Sequence, residues 1–328
     1  MAQLIYPKQN QNYHHYIITH IMWYEIELVQ EYLASLTQAL SKSKWPIHLD
    51  FLINAQTYIE TPDENSNALE LAQQIQTMIL AHPFNIWSPT KIIHTNIKKD
   101  TEPFYNIGDW RRDTFNTGAG YTVWGETDAL YPKNYFQLLE IIATEEFKDP
   151  YVVSFASRKC WDDTWNIVEH SQFQPLEPTV KGQKRLKVPF NFDDYISQEE
   201  LDAFNDAQTK SPPLVELPFL KFDGALLAFS SGMPQLIPSD QHFGPDDWAA
   251  EMTLRCVYPH IKQYHLPTVL KGHNYMHPRK RLHTSSTRED FQYKMEVNNS
   301  MMAIHRWLNN YGVEYRNGQF VRSIDYVR

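Results

Sequence analysis

The sequence predicts an α/β fold with a mostly parallel central sheet flanked by helices, and three observations carry that expectation. Short β-branched runs alternate with stretches of helical periodicity through residues 1–156, the pattern that crossover units leave in a sequence. Polar residues follow several of the strand-like runs, where a parallel sheet would present a ligand site beyond its carboxyl edge. No internal repeat or low-complexity tract competes with this reading.

Taken in order, residues 16–21 (YIITHI) read as a buried strand. The next stretch, 24–42, places Ile26, Val29, Leu33, Leu36 and Leu40 at helical spacing. A second strand is predicted at 47–53 and ends at Asn54; a helix follows over 66–81 and a third strand over 91–97. The polar segment GDWRRDTFNTGAG then leads into the strand YTVWG at 121–125 and the trio Glu126-Thr127-Asp128. Pro132 suits a first helical turn, with a helix over Tyr135–Ala143 and another strand at 151–156. Residues 157–213 are charged, Pro-containing and irregular, with one helical piece at 197–207, and read as an insertion. The α/β pattern resumes at 217–230, a helix is expected at 246–257, and Phe291, Met295, Val297, Met301 and Ile304 mark a C-terminal helix over 288–309. The expected organisation is one catalytic domain: 1–156 as the nucleotide-binding half, 157–213 as insertion, 214–287 as acceptor and catalytic half, and 288–328 as a helical extension.

At 328 residues with 42% apolar and 21% charged side chains, the chain has an ordinary globular balance. A net charge of −9 argues against a generally electropositive nucleic-acid surface. Two local basic clusters remain, Lys181, Lys184, Arg185 and Lys187, then Lys271, Arg279, Lys280, Arg281 and Arg288. Cys160 and Cys256 form neither a disulfide framework nor a zinc pattern. The opening MAQLIYPKQNQNYHHY has no secretory pattern, and no apolar run approaches the roughly 18 residues of a membrane span. The expected location is the cytoplasm (the host's, if the source is viral), without a membrane partner.

Glu126 and Asp128 are carboxylates separated by one residue at a strand end, and hard oxygen ligands of this kind suit Mg²⁺ or Mn²⁺. An ordinary acidic turn before a helix has the same sequence. Asp246-Asp247 heads a helix, where carboxylates serve either as caps or, in one case, as a general base. His273 and His277 have no Cys or HExxH context for zinc, leaving a single His that completes a divalent site. Phosphate-binding Gly-rich loops and a GxSxG elbow are absent.

In order, Arg112, Asn116-Thr117-Gly118, YTVW, Glu126-Thr127-Asp128, Pro132, Asp223-Gly224-Ala225, Asp246-Asp247-Trp248 and His273 or His277 resemble the nucleotide-sugar glycosyltransferases of GT-A fold, similar to glycosyltransferase family 2. The resemblance covers about 16–156 and 217–277 and implies a Rossmann-like sheet and an inverting, metal-dependent transfer from a nucleoside diphosphate sugar, most simply a UDP-sugar. It implies donor contacts from Thr19, His20, Asn54, Arg112, Glu126, Thr127 and Asp128, and a Mn²⁺ or Mg²⁺ held by Asp128 with Glu126 and His273. Asp223, Gly224, Asp246 and Trp248 would border the acceptor, and Asp247 would be the base. Two departures stand: Glu126 replaces the usual first Asp, and Asn54 the usual nucleobase Asp. The acceptor is open. A hydroxymethylated base of phage DNA would suit the basic clusters with Trp161 and Trp165, while a glycan, lipid or protein fits equally. A sugar nucleotidyltransferase, which would need a Gly-rich basic loop that THIMWYEIE lacks, and a noncatalytic nucleotide-sugar binder are the rival classes.

Overall fold

The structure is a computed structural model that describes residues 12–56, 67–88, 90–103, 105–145, 147–160, 167–168, 195–196, 214–217, 220, 222, 224–238, 246–274, 302–317 and 319–322. Outside them lie Asp223, His277, the basic clusters except Lys271, Trp161, Trp165 and the helix expected at 197–207.

The first four long strands are β1 (Asn12–Met22), β2 (Ile47–Asn54), β3 (Lys91–Lys98) and β4 (Ala119–Glu126). They pair in parallel in the order β3-β2-β1-β4. β1, β2 and β4 are built around Val, Ile, Leu and aromatic side chains, as strands buried on both faces require, whereas β3, at the edge, is largely exposed. The sheet then continues through β10 (Ala228–Ser230), antiparallel to β4, and β6 (Tyr151–Cys160) to β11 (Lys262–Asn274). β11 runs parallel to β6 and takes two short antiparallel neighbours, β5 (Ala129–Leu130) and β9 (Val215–Glu216). Between β6 and β9, β7 (Ile167–Val168) and β8 (Tyr195–Ile196) form a separate antiparallel pair. The expected α/β class with a large, mostly parallel sheet is observed.

Side chains alternate across each strand, so the sheet carries two cores. Ile17, Ile21, Leu49, Phe51 and Ile53 face the helices α1 (Ile26–Leu40), α2 (Ala68–Ala81) and α4 (Tyr135–Ile142). Tyr16, Ile18, Leu52 and Trp124 face the other way, towards Trp110 of α3 (Ile107–Asp113) and Ala250 and Leu254 of α5 (Asp246–Val257). The opposite side of α5 packs Ala249, Met252 and Val257 against Ile304 and Leu308 of α6 (302–309).

Four features differ from the sequence reading or are missing from it. Thr19 and His20, expected as donor contacts, lie within β1, which runs on to Met22. The polar segment before β4 contains α3, a helix of seven residues whose start is fixed by a capping box: Asn106 Oδ1 accepts from the Asp109 N–H and Asp109 Oδ2 from the Asn106 N–H, each at 3.0 Å. β11 reads poorly as a strand because Pro267 interrupts it, and the pairing with β6 shifts register between Leu266 and Leu270. Finally, 288–328 is not wholly helical. Val313–Arg316 (β12) and Gln319–Arg322 (β13) make a hairpin around Asn317-Gly318, with Asn317 at φ +50°, the left-handed geometry that an Asn-Gly turn supplies.

Candidate functional site

In α3, Trp110 and Arg111 are both buried, Trp110 in the core that joins the helix to the sheet. Arg111 is carried inward over the Trp124 ring, its guanidinium carbon 4.4 Å from the ring centroid. Arg111 Nη1 donates to Asp246 Oδ2 at 2.6 Å, and Nη2 donates to Glu126 Oε1 and to the Gly224 carbonyl at 3.3 Å. The end of β4, the head of α5 and the Gly224 turn therefore meet on one buried cation. Burial alone would disfavour its charge; Asp246 and Glu126 outweigh that, and the Arg111 pKa lies above its ordinary value.

Asp247 stands at the edge of this cluster. Gly224 adopts φ +84°, and a Cβ there would sit 3.4 Å from both Asp247 Oδ2 and Glu126 Oε1. Gly224 thus supplies both the left-handed backbone and the close approach of two carboxylates. Asp247 Oδ1 accepts the Trp248 N–H at 2.7 Å. Burial is the largest influence on Asp247 and raises its pKa to about 7; Asp246 adds to the rise, while Arg111 and the Trp248 N–H oppose it. The carboxyl therefore exchanges its proton near neutrality, the range useful to a general base.

The turn that bears Gly224 is held from below. Leu226 also has positive φ, at +54°, and its N–H donates to the Trp124 carbonyl at 2.8 Å while Tyr135 Oη donates to its carbonyl at 2.9 Å. Lys271, fully buried on β11, donates from Nζ to the Ala225 carbonyl. Neither Arg111 nor Lys271 was singled out from the sequence as a site residue. α3 is too short for its periodicity to mark Arg111, and Lys271 carries no signal beyond its place in a basic run.

Glu126 ends β4 with a side chain 16% exposed, and Thr127 and Asp128 form the buried turn into β5. The Thr127 hydroxyl makes no hydrogen bond among the described residues. β5 pairs Ala129 with His273 of β11, so the backbone of His273 lies opposite the residue after Asp128. The strand before Glu126 has its own requirement: a Cβ on Gly125 would fall 2.2 Å from Tyr32 Oη and 2.5 Å from Thr19 Oγ1.

Other expected residues serve the fold. Thr19 is fully buried beneath Gly125, its hydroxyl 2.7 Å from Tyr32 Oη. Asn54 is fully buried; Nδ2 donates to the Tyr105 carbonyl at 2.6 Å and lies 3.3 Å from His20 Nε2, while Oδ1 accepts the Gln56 N–H at 2.8 Å. With Gln56, which bonds the carbonyls of Lys99, Glu102 and Pro103, it pins the loop after β3. Arg112, expected as a donor contact, turns to Asp109 at 2.9 Å and Asp113 at 2.7 Å, whereas its neighbour Arg111 meets Glu126 and Asp246. Asn116-Thr117-Gly118 builds the turn before β4: Asn116 Oδ1 accepts the Gly118 N–H at 3.0 Å and the Thr117 carbonyl accepts the Gly232 N–H at 2.8 Å. That turn lies at the opposite end of β4 from Glu126, about 25 Å away at strand rise. Trp248 packs towards the C-terminal hairpin, its ring centroid 6.1 Å from that of Phe320.

Among the described residues no helix is long and apolar enough to cross a membrane. The arrangement as a whole is an acidic cluster at the carboxyl edge of β4, with one guanidinium between Glu126 and Asp246 and one carboxyl that titrates near pH 7. Searched against known families and curated proteins, the chain matches none of them.

Proposed function

We propose that the protein is a glycosyltransferase of GT-A type that moves a sugar from a nucleoside diphosphate donor, UDP-linked in the simplest case, to an acceptor hydroxyl. The observation that carries the reading is the meeting of Asp247 and Glu126 at Gly224, with Asp247 poised near neutrality. The two residues come from distant parts of the chain and converge beyond the carboxyl end of β4, where open α/β sheets take their ligands. The parallel β3-β2-β1-β4 half supports the same reading.

In this mechanism Asp247 removes the proton of the acceptor hydroxyl as its oxygen forms the new bond to the anomeric carbon. The bond from that carbon to the diphosphate breaks on the opposite side, which gives inversion in a single displacement. Arg111 holds Glu126 and Asp246 in place and limits the negative charge beside Asp247, so its carboxylate form is available at physiological pH. Glu126 borders the acceptor and donor sides of Gly224.

Glu126 gives one oxygen to Arg111, and the acidic residues of the site do not gather three ligand atoms among the described residues. Such a donor set fits a small hard cation held mainly by the donor's phosphates and water, with Asp128 and the second Glu126 oxygen as this chain's contribution. Mn²⁺ or Mg²⁺ bound there would neutralise the departing diphosphate.

Thermal-shift screening of nucleoside diphosphate sugars with and without Mn²⁺ tests the class, because ligands that bind the native state raise its melting temperature. A selective response to one donor is expected, and a flat response to all of them would overturn the proposal. Asp247→Asn should retain that donor response while transfer falls by about 100-fold or more. Asp128→Ala should lose the Mn²⁺-dependent part of the response; a variant that is merely less stable, with metal dependence intact, assigns Asp128 to the turn alone.

A further inference from the structure

The sheet face that carries α3 has a second cluster of polar side chains, nearer the start of its strands. His48 and Asp50 alternate along β2 and so share that face, and the parallel register sets Asp50 opposite His94 on β3. One ligand atom from each of the three lies within 4.8 Å of the others. His48 Nε2 and His94 Nδ1 are 3.3 Å apart. Zinc–imidazole bonds of about 2.0–2.1 Å in a tetrahedral site separate neighbouring ligand nitrogens by roughly 3.3–3.4 Å. Tyr16 Oη donates to Asp50 Oδ2 at 2.8 Å, the kind of outer contact that orients a ligating carboxylate. His94 is exposed and the other two are half-buried, so the cluster opens to solvent.

We propose that His48, Asp50 and His94 bind a borderline-soft divalent cation, zinc foremost, with solvent completing the coordination. Two imidazoles and one carboxylate match the ligand preference of Zn²⁺, whereas Mg²⁺ and Mn²⁺ favour oxygen-only sites. The ligands sit on adjacent hydrogen-bonded strands, so the backbone already holds them at the required spacing. The ion ties β2 to β3, which is the outermost strand on its side of the sheet among the described residues. This site is distinct from the Arg111 cluster. Asp50 lies four residues, about 13 Å, before the end of β2, and β3 and β4 are three strand spacings apart, about 14 Å.

The full chain, stripped of metal with a chelator that is then dialysed away, should take up one equivalent of Zn²⁺ in a calorimetric titration. Co²⁺ should give the visible absorption of a tetrahedral or five-coordinate site. Both signals, and the rise in melting temperature with Zn²⁺, should vanish in His94→Gln and in His48→Gln. They should persist in Asp128→Ala and in a His273→Gln/His277→Gln double variant, which separates this site from the proposed donor site. His94 is exposed, so His94→Gln decides the matter even if His48→Gln folds poorly. No uptake tighter than about 100 μM, or uptake unchanged in His94→Gln, would overturn the proposal.

Discussion

Two polar clusters occupy the same face of one sheet and solve the problem of charge in opposite ways. Around Arg111, α3 and α5 close over the strands, and the carboxylates of Glu126 and Asp246 are buried or nearly so. Desolvated charge must be matched locally, and the chain supplies its own guanidinium for two of the carboxylates. The third, Asp247, is left to hold a proton. Around His48, Asp50 and His94 no helix of the described residues closes over the strands to the same degree, and the side chains are half-buried or exposed. The closed cluster is fixed by internal countercharge, whereas the open one has geometry suited to an external cation. Burial decides which of these a group of ligating side chains becomes.

The comparison breaks most sharply at Arg111. Arg111→Met removes the cation and leaves Glu126 and Asp246 facing each other without it, a loss of about 3–5 kcal/mol for a broken buried pair. Urea unfolding at pH 7.5 measures it, and a cost below about 1 kcal/mol would mean that the cluster is not the electrostatic unit described here. Gly224→Ala comes next. The left-handed backbone at φ +84° predicts a cost of about 1–3 kcal/mol, read in the same unfolding experiment.

Asp247→Asn should have the opposite sign. The native pKa of about 7 exceeds the ordinary 3.8, so between those values the native state binds the proton that the unfolded state has released. Stability is therefore full below about pH 4 and declines as pH rises through 7. Asn cannot ionise, so the variant should gain about 1–3 kcal/mol over the parent at pH 8 and nothing at pH 4. Parallel melting curves at the two pH values check the sign. Smallest of all, His94→Gln without metal should change stability by no more than about 0.5 kcal/mol, as exposed substitutions do. A larger metal-free loss would give the open cluster a packing role.

Much of the frame was legible because β-branched runs and helical stripes stand close together in the first half of the chain. β1 to β4, α1, α2 and α4 follow from YIITHI, IHLDFLI, KIIHTNI and the periodic segments around them. What escaped had local reasons. Pro267 hides a long strand, and α3 is too short, with Gly108 inside it, for periodicity to stand out. Asn317-Gly318 flanked by alternating residues was a readable hairpin signal inside a segment dominated by its helix. At the site, Glu126, Asp246 and Asp247 do come together. Choosing between Arg111 and Arg112 required the phase of α3, since successive helical positions point about 100° apart. The roles of Thr19 and Asn54 depend on hydrogen bonds to Tyr32 and Tyr105, partners that no spacing rule identifies. The His48-Asp50-His94 group needed strand register, because its members join only when β2 and β3 align.

The pairing of β5 with β11 also dictates when the acidic turn can form. Thr127 and Asp128 lead directly into Ala129–Leu130, whose partners are Gly272 and His273, some 140 positions later. Closing a loop of that length carries an entropic cost that local contacts cannot offset, and such pairings are made late in folding. A chain still emerging from the ribosome, or truncated before residue 262, has the acidic residues but not the strand on which their turn docks. The acidic turn is thus tied to the second half of the molecule through a two-residue strand, and it is docked only in the completed chain.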